Sequence, residues 1–279
     1  MKVMTYNIGA FDNMVRLERI AQVIRREQPD ICCVQAGMGT ISYRTAADFI
    51  QESTRIPHYV AGGGKEKLSG RQLFAITFTK YDLAADPEFG DVKIEDAALW
   101  ADVKHTPFGK VRLLNVLLGQ GSESCRKRSW STAFKEVDNS KGVNMIVAGC
   151  FRSLSPADIY PTCEQWPSDF RDRYLSGENV NHEVIASLLK MGFIDATCAQ
   201  DPSPSDFTSV HAAIRQGTVP TSIVTLYTHP NVRFDYVFST SGELPMPSSG
   251  RVVVNDLTKI AAEHYPVVAV FPEKIKKWK

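Results

Sequence analysis

Short apolar, β-branched runs recur along the chain with polar turns between them. They are KVMTYNI at 2–8, ICCVQ at 31–35, LFAITFT at 73–79, AALWADVK at 97–104, VRLLNVLL at 111–118, NMIVAG at 144–149, RFDYVFS at 233–239, RVVVND at 251–256 and YPVVAVF at 265–271. Each has the length and composition of a buried or half-buried strand. Helical periodicity interrupts the series. VRLERIAQVIRREQ (15–28) puts Leu17, Ile20, Val23 and Ile24 on one face with charges opposite, and it stops before Pro29. NHEVIASLLKMG (181–192) opens on an Asn cap and closes at Gly192. TAADFIQES (45–53) predicts a third, shorter helix. HTPFGK (105–110) is a turn between two strands, so those two pair antiparallel. Strands outnumber helices, which predicts two mostly antiparallel or mixed sheets packed face to face with helices outside. No repeat, low-complexity segment or linker divides the chain, so residues 1–279 are expected to form a single domain. The stretch 153–180 is long, Pro-rich and aromatic, and reads as a loop or lid.

Composition narrows the function classes. The chain is 43% hydrophobic and 23% charged, with Lys+Arg 32 against Asp+Glu 31 and a net charge of +1. That balance supplies no global field for a polyanion and argues against nucleic acid as the partner. No apolar run is long enough to span a bilayer, and MKVMTYNIGAFDN lacks the apolar core of a signal peptide. The six cysteines contain no CxxC pair, which argues against a structural zinc site. Together these lead to the expectation of free thiols in a cytoplasmic protein.

Chemistry concentrates at VNMIVAGCFRSLS (143–155), where a buried strand runs into a turn carrying Cys150 and Arg152. Weaker candidates surround it. GGGK (62–65) lacks the phosphate-loop spacing and reads as a flexible loop. CRKRSW (125–130) is a short basic run that reads as a solvated helix start. His182, His211 and His229 have no ligand spacing. Trp130, Trp166, Phe170 and Tyr174 are candidates to wall a pocket from the long loop.

The strand ends taken in order resemble the endonuclease/exonuclease/phosphatase superfamily, over about residues 2–271. KVMTYNI resembles its opening strand, IAQVIRREQPDICCVQ its first helix and second strand, and TPFGKVRLLNV its central hairpin. NMIVAG-x-F resembles the strand that usually continues as Gly-Asp-Phe-Asn, VRFDYVFS the Arg-Ile-Asp-Tyr strand, and EHYPVVAVF the closing Ser-Asp-His-Tyr-Pro-Val strand. The resemblance implies a DNase I-like fold, a four-layered α/β sandwich of two packed mixed β-sheets flanked by helices. It also implies Mg²⁺-dependent hydrolysis of phosphate esters in a carboxylate-rich pocket.

The residues at the implied positions depart from that chemistry. Asn7, Asp235 and His264 are retained, and Glu263 stands for the closing Asp. Ala36 replaces the metal-binding Glu, Leu117 the His of Asn-x-His-Leu, and Cys150 and Arg152 the Asp and Asn of Gly-Asp-Phe-Asn. Two carboxylates lost and one guanidinium gained move the site about three charge units toward positive. A thiol is also a poor magnesium ligand. The expectation is therefore no metal and no cofactor, with a small, partly apolar molecule as ligand or substrate. Asn7, Ala36, Leu117, Glu263 and Trp166 would line the pocket. His264, Asp235, Cys150 and Arg152 would carry metal-independent acid–base chemistry of the isomerisation or cyclisation type. Asp235 would orient His264, Cys150 would be a nucleophile, and Arg152 an anion clamp. Two alternatives stay open: a non-catalytic binding or scaffold protein, and a divergent metal-dependent phosphoesterase or nuclease.

Overall fold

A computed structural model describes residues 1–65, 72–84, 97–139, 142–158, 160, 163, 166–197, 232–240 and 244–273. The first strand, β1 (Lys2–Ala10), leads into α1 (Met14–Glu27). Asn13 caps this helix by accepting from the Arg16 N–H at 2.8 Å, and Gln28 ends it in a left-handed conformation just before Pro29. Then follow β2 (Ile31–Gly37), α2 (Tyr43–Thr54), β3 (His58–Lys65), β4 (Gln72–Thr79), β5 (Ala97–Thr106) and β6 (Gly109–Leu117). The middle of the chain gives α3 (Glu123–Asn139), β7 (Met145–Cys150), α4 (Ser168–Tyr174), β8 (Leu175–Ser176) and β9 (Asn179–Val180). The last third gives α5 (Glu183–Lys190), β10 (Phe193–Asp195), β11 (Asp235–Thr240), β12 (Ser249–Val252), α6 (Thr258–Ala261) and β13 (Val267–Val270).

Two mixed sheets face each other. One has the order β12-β13-β1-β2-β4-β3, the other β10-β11-β7-β6-β5. Only β1–β2 and β6–β7 pair parallel within them. Strand alternation sorts the side chains into layers. Val3 on β1 points between the sheets and packs with Ile31, Val111, Ile146, Val237 and Val267. Its neighbours Met4, Tyr6 and Ile8 point outward under α1 and α2. The second sheet covers its outer face with α3 and α5 through Trp130, Val184, Ile185 and Leu188. The result is the four-layered α/β sandwich with helices outside.

Several local expectations are corrected. The glycines 62–64 form the core of β3 rather than a flexible loop, and Gly63 sits opposite Phe74, where an added Cβ would come within 2.8 Å of the ring. The 251–256 run is a strand only at its start. Asn255 and Thr258 exchange side chain-to-backbone bonds of 3.0 and 2.9 Å that begin α6. CRKRSW lies in the first half of a 17-residue helix, α3, as expected, but Arg126 and Trp130 are buried rather than solvated. It is pinned by Trp130, whose indole donates to Ser187 Oγ at 3.0 Å and meets Phe151 edge-on. The stretch 153–180 carries α4 and the β8–β9 hairpin instead of being a bare loop. His211 and His229 lie outside the described residues. Five cysteines are described and all are free thiols. Among the described residues no helix is long and apolar enough to cross a membrane.

Candidate functional site

One end of the sandwich collects the candidate residues. Register places Cys150 at the end of β7 directly opposite Leu117 on β6 and Asp235 on β11, while Asn7 on β1 lies opposite Gln35 on β2. Period-2 alternation then decides which of them meet. Cys150 shares its face with Ile146 and Ala148, Asp235 with Val237, and Asn7 with Val3, all inward-facing. Ala36 has the opposite parity to Gln35. It packs in the helix-side core with Val34 and Phe11, and its partner on β4 is Phe74. The structure therefore does not bring Ala36 to the other candidates.

A polar chain runs across this end. His264 Nδ1 lies 2.7 Å from Asp235 Oδ2, and Asn7 Nδ2 lies 3.3 Å from His264 Nε2. Asn7 Oδ1 is held by the Gly9 N–H at 3.0 Å, which orients the amide so that its NH₂ faces the ring. Burial pulls the His264 pKa down. The Asp235 carboxylate and then Cys150 outweigh it and raise the pKa to about 10. The Asn7 amide opposes protonation of Nε2, but the shorter, charge-assisted contact with Asp235 is the stronger of the two. Asp235 is fully buried and its second oxygen, Oδ1, has no hydrogen-bond partner. Cys150, Asp235 and His264 each place a ligating atom within 4.8 Å of the others.

An apolar plug adjoins this chain. Cys150 and Leu117 are buried together with Leu154, Trp166, Phe170, Tyr174 and Phe234. Trp166 meets Phe170 edge-on at 5.1 Å, Phe170 lies 4.3 Å from Tyr174, and Tyr174 stacks on Phe234 at 5.4 Å. The segment expected to be a lid is thus folded into the core above the end of β7. It is held there from outside: Arg126 lies over the Tyr174 ring at 4.5 Å, and Glu123 accepts from Arg126, Ser153 Oγ and the Val184 N–H. A second clasp joins Arg233 to Asp158 and Asp195, with Tyr236 donating to the Ser153 carbonyl at 3.0 Å.

The remaining candidates lie at the edges. Arg152 is half-buried with φ +47°, a left-handed backbone uncommon for a non-glycine residue. It lies on the Tyr174 side. Burial raises the pKa of that phenol, against the pull of Arg126 and then Arg152. No ion pair to Arg152 is found among the described residues. Glu263 instead faces Arg16 at 3.6 Å beside Gly9. His182 starts α5 with Nδ1 3.4 Å from the Leu154 carbonyl, and burial lowers its pKa. Gln35 and Asn115 form a pair that no sequence spacing announces. Gln35 donates to Asn115 Oδ1 at 2.7 Å, and Asn115 donates to the Ile76 carbonyl at 3.0 Å, a buried cross-link between the sheets. Arg16 is a further near-site residue whose sequence position carries no distinguishing signal.

The fold family implies a magnesium ion, and the donor set does not fit one. Magnesium takes oxygen ligands in octahedral geometry. Here Asn7 Oδ1 is committed to Gly9, Asp235 Oδ2 to His264, and Ala36 and Leu117 offer no donor. One Asp235 oxygen and the Cys150 thiol remain, while the Glu263 carboxylate faces Arg16 beside Gly9.

With the sheets, layers and site in place, the class is defined by the fold: this is a DNase I-like α/β sandwich, matched to endonuclease/exonuclease/phosphatase structures over nearly the whole chain. The endonuclease/exonuclease/phosphatase protein of Beutenbergia cavernae superposes with a TM-score of 0.67 at 18% identity, covering 96% of this chain and 70% of that one. An AP endonuclease from Archaeoglobus fulgidus gives 0.62 at 17% identity, with 97% and 99% covered. The human Nocturnin catalytic domain, solved with a bound sulfate anion, gives 0.59 at 16%, with 98% and 94% covered. No family model matches the sequence, and no curated protein matches it.

Proposed function

We propose that this chain is a divergent protein of the phosphoesterase fold that binds a small phosphate ester at the Asn7–His264–Asp235 end of the sandwich without magnesium-dependent turnover. The observation that carries the reading is the split of the site. The hydrogen-bonded chain Asn7–His264–Asp235 is intact, while Leu117 and Cys150 are packed beneath an aromatic cluster. His264, held cationic by Asp235, and half-buried Arg152 give this end a positive charge suited to an oxyanion. The solved proteins with this fold support the same ligand class. They include phosphatase-family proteins, an AP endonuclease and a domain holding a tetrahedral anion.

The test is calorimetric titration of bis(4-nitrophenyl) phosphate and of inorganic phosphate into the full chain, with Mg²⁺ and with chelator, alongside release of nitrophenol. The expected result is saturable binding that ignores chelator, weakens at least tenfold in His264→Ala, and is accompanied by no hydrolysis. Absence of binding, or magnesium-dependent hydrolysis, overturns the reading.

A second reading rests on the approach of Cys150, His264 and Asp235 to one another. A thiol, an imidazole and an orienting carboxylate in hydrogen-bond sequence are the parts of metal-independent proton-transfer or nucleophilic chemistry, of the isomerisation or cyclisation type. Full burial of Cys150 counts against it as a nucleophile. Chelator-resistant turnover that disappears in His264→Ala would favour this reading over simple binding.

A further inference from the structure

We propose that Cys150, Asp235 and His264 form a buried site for one thiophilic divalent cation of the zinc class. The proposal deepens the phosphate-ester reading at the same site, because such a cation would supply the positive charge there in place of the imidazolium proton.

Three observations carry it. The first is placement. Asp235 and Cys150 are register partners on adjacent strands, His264 precedes β13 on the facing sheet, and the three ligating atoms lie within 4.8 Å of one another. Around a tetrahedral zinc ion, ligand atoms stand roughly 3.3–3.8 Å apart. Side-chain adjustments of an ångström therefore close the site. The second is the fully buried Oδ1 of Asp235, which has no hydrogen-bond donor. A carboxylate oxygen left unpaired in a core is a standing cost that a coordinated cation removes. The third is ligand chemistry. The substitutions that remove magnesium's oxygen donors leave one thiol, one imidazole and one carboxylate, the set that borderline and soft cations prefer.

Charge balances in the exchange. The thiol and the imidazolium each release a proton to solvent. Thiolate and carboxylate then carry two negative charges against the two positive charges of the cation, and the imidazole stays neutral. The buried cluster is neutral before and after. The Asn7 amide, fixed by the Gly9 N–H, stands at the edge of the ring as its orienting neighbour.

Cobalt(II) is the probe, because its thiolate complexes absorb in the near ultraviolet. Titration of metal-free full-length protein with Co²⁺ is expected to give a sulfur-to-cobalt band that saturates at one equivalent. One equivalent of Zn²⁺ removes the band, and a large excess of Mg²⁺ leaves it unchanged. Cys150→Ala abolishes the band, whereas Cys125→Ala, at a half-buried free thiol outside the cluster, retains it. Thermal melts of each variant without metal check that Cys150→Ala is folded. If that variant does not fold, Asp235→Asn replaces it and is expected to weaken cobalt binding at least tenfold. No band in the wild type, or a band that survives in folded Cys150→Ala, overturns the proposal. Phosphate binding to the metal-free protein reads the ligand proposal separately, so either can fail without the other.

Discussion

The two halves of the site end rest on neighbouring strand ends, yet have opposite physical characters. On one half, Asn7, Asp235 and His264 form a chain of directional bonds in which each group is oriented by the next. On the other, Leu117 and Cys150 are packed with apolar and aromatic neighbours and covered by α4, although the Cys150 sulfur also borders His264 and Asp235. Here one half is packed as core and the other is a polar chain, and in the proposed function it is the polar chain that binds. Residues paired across two strands, such as Asp235 and Cys150, thus join a polar chain or a packed core according to what lies above them.

The largest effect should come from the packed half. Phe170→Ala removes the centre of the aromatic plug and is expected to destabilise the protein by about 3–5 kcal/mol, read from urea unfolding. If instead Phe170→Ala leaves stability unchanged, α4 is a mobile cover and the two halves are not distinct. Next comes Leu117→His, which restores the family residue. Inside an apolar cluster with no partner for its ring nitrogens, it should cost about 1–3 kcal/mol and revive no magnesium-dependent hydrolysis. A stable, magnesium-active Leu117→His variant would mean that the plug is easily displaced.

The sharpest test is pH dependence, because two histidines shift in opposite directions. His264 has a folded pKa raised to about 10, against about 6.5 unfolded. Its contribution to the stability of the metal-free protein is fully present below pH 6.5 and is lost as pH rises toward 10. His182 has a lowered folded pKa because burial disfavours its charge. Its contribution is present above about pH 6.5 and is lost as pH falls below that value. Unfolding free energy measured against pH should therefore lose its alkaline slope in His264→Gln and its acid slope in His182→Gln. Loss of the same limb in both variants would contradict the assigned polarity.

Much of this arrangement was legible in the sequence. Alternating apolar runs located most of the strands, and ordered motif ends located Asn7, Asp235 and His264 at one edge. The reasons for the failures are physical. Helix α3 opens on a buried Glu123–Arg126 ion pair, so its first turns look like a solvated surface and hide the hold they have on the core. The three glycines of β3 resemble a loop, yet they lie in a strand, and at Gly63 the Phe74 ring takes the room a side chain would need. Ala36 aligns with a metal ligand by motif but faces the helix layer by parity, a distinction that register alone reveals. Nothing in the spacing of Trp166, Phe170 and Tyr174 distinguishes a ring that walls a pocket from one that fills it. That depends on Leu117 and Cys150, more than 15 residues earlier, accepting them as core.

The most direct test of the central claim is hydrolysis of bis(4-nitrophenyl) phosphate by the purified chain at saturating Mg²⁺, with His264→Ala as the reference. The account predicts no difference between the two proteins and no response to magnesium or chelator. Magnesium-dependent hydrolysis that disappears in His264→Ala would contradict it, and would mean that the phosphoesterase chemistry persists despite Ala36, Leu117 and Cys150.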